Sequence, residues 1–189
     1  MGQVLQVNGF TRSGTTYTYT AVKLAFPQFQ VEHSHNYLDL SWRVKTNQPT
    51  IACVRNPIDT LVSSLIQRNI EKSNQETIKQ CIKKYTQHLY IINSVKDNTI
   101  VSFFDDVIKD FNPLLQAVSE RYNCKLMPIS KEDIVVEIPK YGSNEDLRFG
   151  RLPRNNIELK QYALNRLNEP NYSELLNKAT DLYNKIRDK

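Results

Sequence analysis

Two rhythms of apolar and polar residues alternate along the chain. Val4 to Asn8 (VLQVN) is a short run of strand length, and Thr15 to Ala25 follows with Tyr17, Ala21, Leu24 and Ala25 on one helical face. Gln28 to Glu32 (QFQVE) alternates as a strand does. Thr50 to Val54 (TIACV) is continuous, the mark of a parallel strand buried on both faces. Asn56-Pro57 then supplies an N-cap and a first helical residue, and the helix runs on through Leu61, Leu65 and Ile66. Ile78, Ile82, Tyr85, Leu89 and Ile92 recur at spacings of three and four, which predicts a long helix from Gln75 to about Val95. Thr99 to Phe103 reads as a fourth strand and Phe111 to Tyr122 as a short helix. Met127 to Arg154 has weak periodicity and reads mostly as loop. Asn155 to Leu167 and Tyr172 to Ile186 are closing helices, with Asn171 and Glu174 placed to cap the last. Strands that alternate with helices predict a three-layer α/β/α fold with a mostly parallel central sheet. Ligands on such sheets bind at the carboxyl ends of the strands.

Composition adds bounds. The 189 residues suffice for one domain with its own core. Hydrophobic content of 40% and charged content of 24% are ordinary for a globular protein. The net charge of +5 and a pI near 9.0 suit an anionic ligand. No basic stripe interleaved with aromatics points to nucleic acid. Cys53, Cys81 and Cys124 are odd in number and lack C-x-x-C spacing, so neither a disulfide scaffold nor a zinc site is expected. No metal is expected at the site. No apolar stretch approaches membrane-spanning length, no signal-peptide pattern opens the chain, and Gln6 spoils a myristoylation pattern at Gly2. A cytoplasmic location is the expectation.

The chemistry starts at GFTRSGTT, Gly9 to Thr16, between the first strand and the first helix. Its glycines have the spacing of a nucleotide-binding P-loop, but Thr15 stands where that loop has lysine. Glycine allows a tight turn, and successive N–H groups at a helix N-terminus cradle an anion. Thr15 and Thr16 add hydroxyl donors, and Arg12 adds a forked cation suited to phosphate or sulfate oxygens. Without the lysine the loop is poorly equipped for a triphosphate. A second motif, VRNPIDTLVSSLIQR, begins at the end of the third strand. There Arg55 precedes the helix N-cap and Ser63 follows two turns into the helix, a pair able to hold a separate phosphate.

RSGTT resembles the 5′-phosphosulfate loop of the sulfotransferase family, and Arg55, Asn56, Pro57, Asp59 and Ser63 are similar to its 3′-phosphate motif, R-[ND]-P-x-[DE]-x-x-x-S. The resemblance covers roughly residues 4 to 110, with both motifs in the family's order, and implies a single sulfotransferase-like domain over residues 1–189. It implies 3′-phosphoadenosine 5′-phosphosulfate (PAPS) as donor and adenosine 3′,5′-bisphosphate (PAP) as product. Arg12, Ser13, Gly14, Thr15 and Thr16 would hold the 5′ end, and Arg55 with Ser63 the 3′-phosphate. Ser64 falls outside the motif spacing. H-S-H-N, His33 to Asn36, resembles the family's K-[ST]-H string, with His35 at the position of the catalytic base and His33 replacing the lysine. The distance to Arg55 suits His33 as the base too, so both stay candidates, and Glu32 is a further carboxylate candidate. His88, within a long predicted helix, reads as structural or surface.

Phe104 lies at a family tyrosine position, where it would contact adenine or fill the core. LRFGRLPRN, Leu147 to Asn155, resembles the loop that closes over the 3′-phosphate, with Arg148 and Gly150 matching its ends. The acceptor implied is a small molecule or a glycan. Tyr37, Trp42, Tyr141 and Phe149 are candidates to line its pocket. The alternative reading is a P-loop kinase of a nucleotide or small metabolite, with Asp105 as a magnesium-binding carboxylate, though Asp105 and Asp106 can equally start the next turn.

Overall fold

The computed structural model describes residues 3–138 and 157–188. Four strands form one sheet: β1 (Val4–Gly9), β2 (Gln30–Ser34), β3 (Thr50–Val54) and β4 (Ile100–Phe103). They lie in the order β2-β1-β3-β4, and every pair is parallel. The helices are α1 (Thr15–Ala25), α2 (Tyr37–Lys45), α3 (Pro57–Gln67), α4 (Gln75–Val95), α5 (Phe104–Val107), α6 (Asn112–Tyr122), α7 (Lys131–Glu137), α8 (Ile157–Leu167) and α9 (Ser173–Arg187). The expected three-layer α/β/α architecture is what the chain forms.

Strand pleating sorts the core into two halves. Leu5, Val7, Ile51, Cys53 and Ile100 meet Ala21, Val22 and Ala25 of α1 and Leu115 and Val118 of α6. Ala52 and Val54 face the other way, onto Leu61 and Leu65 of α3 and Ile82 and Leu89 of α4, with α8 and α9 completing that side. Each fully buried Leu or Ile contributes about 1.5–3 kcal/mol of transfer free energy. The chain leaves β1 through α1 in one direction and β3 through α3 and α4 in the other. Right-handed crossovers therefore put α1 and α3 on opposite faces, and the crevice between the ends of β1 and β3 is the topological switch point.

Four features differ from expectation. The second strand begins at Gln30, not Gln28, because Pro27, Gln28 and Phe29 turn the chain and Phe29 enters the core. Pairing with β1 then runs from Val4↔Gln30 to Asn8↔Ser34, so His33 lies within the strand rather than after it. Asn36 caps a helix, α2, that the periodicity did not mark, its side chain accepting from Leu38 N. Within the stretch expected as loop, Ser130 and Asp133 form a capping box that starts α7. Asn171 does not cap the last helix: it sits inside a 3₁₀ turn, Pro170–Tyr172, which feeds directly into α9. Arg148, Gly150, Tyr141 and Phe149 lie outside the described residues. Among the described residues no helix is long and apolar enough to cross a membrane.

Leu65, fully buried between α3 and its neighbours, and Trp42, 54% exposed on α2, set the extremes of side-chain contribution. Leu65→Ala is expected to lower unfolding free energy by about 2–5 kcal/mol, and Trp42→Ala to change it by under about 0.5 kcal/mol. Urea denaturation measures both.

Candidate functional site

β1 ends at Gly9, and after a five-residue turn, Phe10 to Gly14, Thr15 opens α1. The turn closes on itself: Ser13 N and Ser13 Oγ both donate to Phe10 O, at 3.0 and 2.6 Å. Two residues take left-handed backbone angles, Arg12 (φ 73°) and Gly14 (φ 88°). Glycine adopts this region freely, whereas an L-residue pays for it. Arg12 is held there by its side chain, whose Nε donates to Ser63 Oγ at 2.8 Å. A Cβ on Gly9 would lie 2.6–2.8 Å from Ser13 Oγ, Thr15 Cγ2 and Cys53 Cβ, and one on Gly14 would meet Phe104 Cδ2 at 2.3 Å. Gly14 is also the N-cap of α1, so no side chain caps the first-turn N–H groups. The positive end of the helix faces the loop.

Arg55, the first residue after β3, reaches the same loop. Its Nη1 donates to Arg12 O at 3.3 Å, and its guanidinium lies over the Phe104 ring at 4.4 Å. Phe104, at the start of α5, thus packs between Arg55 and Gly14. The Tyr85 hydroxyl of α4 donates to the Arg55 carbonyl. Arg55 Nε is sealed from solvent and has no hydrogen-bond partner among the described residues. Asn56 Oδ1 accepts from Ile58 N and Asp59 N, and Pro57 takes the first helical position. Ser63 faces Arg12 rather than Arg55, so the two motifs are joined through the serine. Ser64 is buried, with Cys81 Sγ 3.7 Å from its hydroxyl.

The histidines sit beside this loop. His33 Nε2 is 3.2 Å from Thr15 Oγ1, and His35 Nδ1 is 2.6 Å from Gly9 O. The two rings meet edge to face, centroids 4.5 Å apart. A carbonyl only accepts, so His35 Nδ1 carries the hydrogen and Nε2 keeps a lone pair. Glu32 points to the opposite face of the sheet, where Arg43 Nη2 donates to its Oε2 at 2.7 Å. Asp105 and Asp106 start α5, and Asp106 pairs with Arg187 at 2.9 Å.

His88 belongs to the same neighbourhood, which the sequence reading missed. It is 1% exposed, its ring lies edge-on to Phe10 and Tyr37, and neither ring nitrogen has a hydrogen-bond partner among the described residues. Burial, reinforced by His35, pushes its pKa down to about 3. The available signal was spacing: Tyr85, His88 and Ile92 share one helical face. Thus Arg12, Ser13, Gly14, Thr15, Thr16, His33, His35, Arg55, Ser63 and Phe104 converge at the carboxyl edge of the sheet. Trp42 faces solvent away from it.

Gly14→Ala is expected to cost about 1–3 kcal/mol, from overpacking against Phe104 and from the left-handed backbone. In the Phe104→Ala background the same change should cost less, because the clash is gone; a double-mutant cycle from urea melts measures the difference. For His88 the folded pKa lies below the ordinary 6.5, so the unfolded chain binds that proton first. Its contribution to stability is full above about pH 6.5 and falls as pH drops towards 3, by up to ~1.4 kcal/mol per pH unit. His88→Phe should remove this part of the acid sensitivity, read as a shallower decline of melting temperature between pH 6.5 and 4.

Compared with protein-family models and with curated proteins, the chain finds no match.

Proposed function

We propose that the protein is a sulfotransferase that moves a sulfuryl group from PAPS to a hydroxyl or amine acceptor and releases PAP. The observation that carries this reading is the junction of the two motifs. The loop's cation is an arginine, and it is bonded to the serine of the second motif. Two arginines at one loop beside a helix N-terminus suit a ligand with two separate anionic groups rather than a triphosphate.

The residues fit such a donor on two counts. The first turn of α1 lacks a side-chain cap, which is the cradle an anion takes. Arg55 brings a second forked cation to the same loop, with its Nη1 donating to Arg12 O. When bound, the donor supplies the sulfuryl group, which leaves its 5′-phosphate as the acceptor oxygen bonds to sulfur. Arg12 and the loop N–H groups hold the 5′ end and stabilise charge developing there. Arg55 and Ser63 hold the 3′-phosphate and so orient the donor. His35 Nε2, with its lone pair set by the Nδ1–H bond to Gly9 O, takes the acceptor proton. His33 holds Thr15 and packs against His35. A kinase reading has less support, because Thr15 replaces the loop lysine.

Isothermal titration is expected to show PAP binding at least tenfold tighter than ATP–magnesium, and Arg55→Ala should weaken PAP by about 10- to 100-fold. With labelled donor and a mixed acceptor panel, His35→Ala should cut transfer by about 10²–10⁴-fold at unchanged PAP affinity. Tight ATP binding without PAP binding would overturn the reading. Wild-type transfer by both His35→Ala and His33→Ala would remove the histidine base from it.

A further inference from the structure

A cavity of about 450 Å³ wraps the open edge of β2, within the range of small-molecule sites, roughly 300–1,000 Å³. Thr16 and Tyr19 of α1 and His33 form one wall. These touch the donor loop directly, because Thr16 belongs to it and His33 bonds Thr15. The other wall is Glu32, Asp39, Arg43 and the edge of Gln6. Only Val31 and Tyr19 bring apolar surface to the lining.

This chemistry is unusual for its place in the fold. A strand in the middle of a parallel sheet is normally apolar on both faces. Yet Gln6 and Asn8, 2% and 0% exposed, point from β1 towards α2. They extend a polar chain: Asn8 Nδ2 donates to Gln6 Oε1 at 3.2 Å, and Gln6 Nε2 donates to Asp39 Oδ2 at 2.5 Å. Arg43 continues it, with Nη2 on Glu32 and Nε 3.7 Å from Asp39 Oδ1. Among the described residues that Nε, closed off from solvent, has this ion pair and no hydrogen bond.

The wall therefore presents the carboxylates of Glu32 and Asp39 side by side with the N–H donors of the Arg43 guanidinium. A carboxylate offers about four lone-pair sites, of which the protein fills few here. Hydroxyl groups both donate and accept, so neighbouring hydroxyls on one ring answer both demands. An anionic acceptor would meet two carboxylates against one arginine. A steroid or simple phenol would bury polar groups without pairing them. We propose that this cavity is the acceptor site, that the acceptor is a neutral sugar, and that its reacting hydroxyl lies at the His33 end, where that ring meets the ring of His35. The role as acceptor site rests on the sulfotransferase reading; sugar binding does not.

The test titrates wild-type protein with cellobiose, lactose and N,N′-diacetylchitobiose, and with 2-naphthol and glucuronate as apolar and anionic controls. Ring signals of Tyr19 and His33 are followed by NMR and heats by calorimetry. At least one disaccharide is expected to bind saturably and to shift both rings. Glu32→Gln or Asp39→Asn should weaken that binding tenfold or more, while PAP affinity stays at the wild-type value and so reports an intact fold. Absence of disaccharide binding, preference for naphthol or glucuronate, or shifts that spare Tyr19 and His33 would overturn the proposal. So would retention of sugar affinity in both variants. Sugar binding without PAP binding would uphold the sugar site and refute the transferase reading.

Discussion

Parallel pairing of β1 on both sides is the constraint on which the site depends. β2 and β3 flank it in one direction, so three strands deliver their carboxyl ends to one edge. Gly9 is the last residue of β1 and pairs with Cys53, two residues before Arg55. Asn8 pairs with Ser34, between His33 and His35. Side chains 18 to 51 positions apart in the chain are thereby brought within hydrogen-bonding distance of one five-residue turn and its flanks. A shift of one residue in either ladder would swap faces and remove the histidines or the arginine from the loop.

The turn itself is held open by strain that its surroundings offset. Arg12 keeps a left-handed backbone because Ser63 holds its side chain and Arg55 holds its carbonyl. Phe104 fills the space a side chain on Gly14 would need, and its ring supports Arg55 at the same time. Around the turn, buried polar groups recur: Arg55 Nε, His88 and the Gln6–Asn8 pair. Most other core positions in the sheet are apolar, with Thr50 and Ser102 the buried polar residues of β3 and β4.

Much of this was legible in the chain because it rests on local rules. TIACV had to be a buried strand, and N-P after it had to start a helix. GFTRSGTT had to be a turn between strand and helix, since its glycines serve backbone positions that no other residue fits without cost. The less regular stretches misled for equally physical reasons. QFQVE alternates, but its Phe29 is worth more in the core of α1 and α6 than in a strand. YLDLSWRVK gives a weak helical pattern because one face meets a polar network rather than an apolar layer.

The sequence by itself determined the strand and helix order, the turn, and which residue types reach the carboxyl edge, because propensity, capping and glycine geometry act over a few residues. Partnership was decided only in three dimensions. Ser63 stands two turns into α3, and nothing in its spacing says that it bonds Arg12 and not Arg55. The tautomer of His35 depends on the carbonyl of a residue 26 positions away. Glu32 and His33 are neighbours in the chain, yet the pleat sends them to opposite faces, one to the Arg43 pair and one to the loop. Such choices depend on register and packing across the sheet, and these exist only once the strands have assembled.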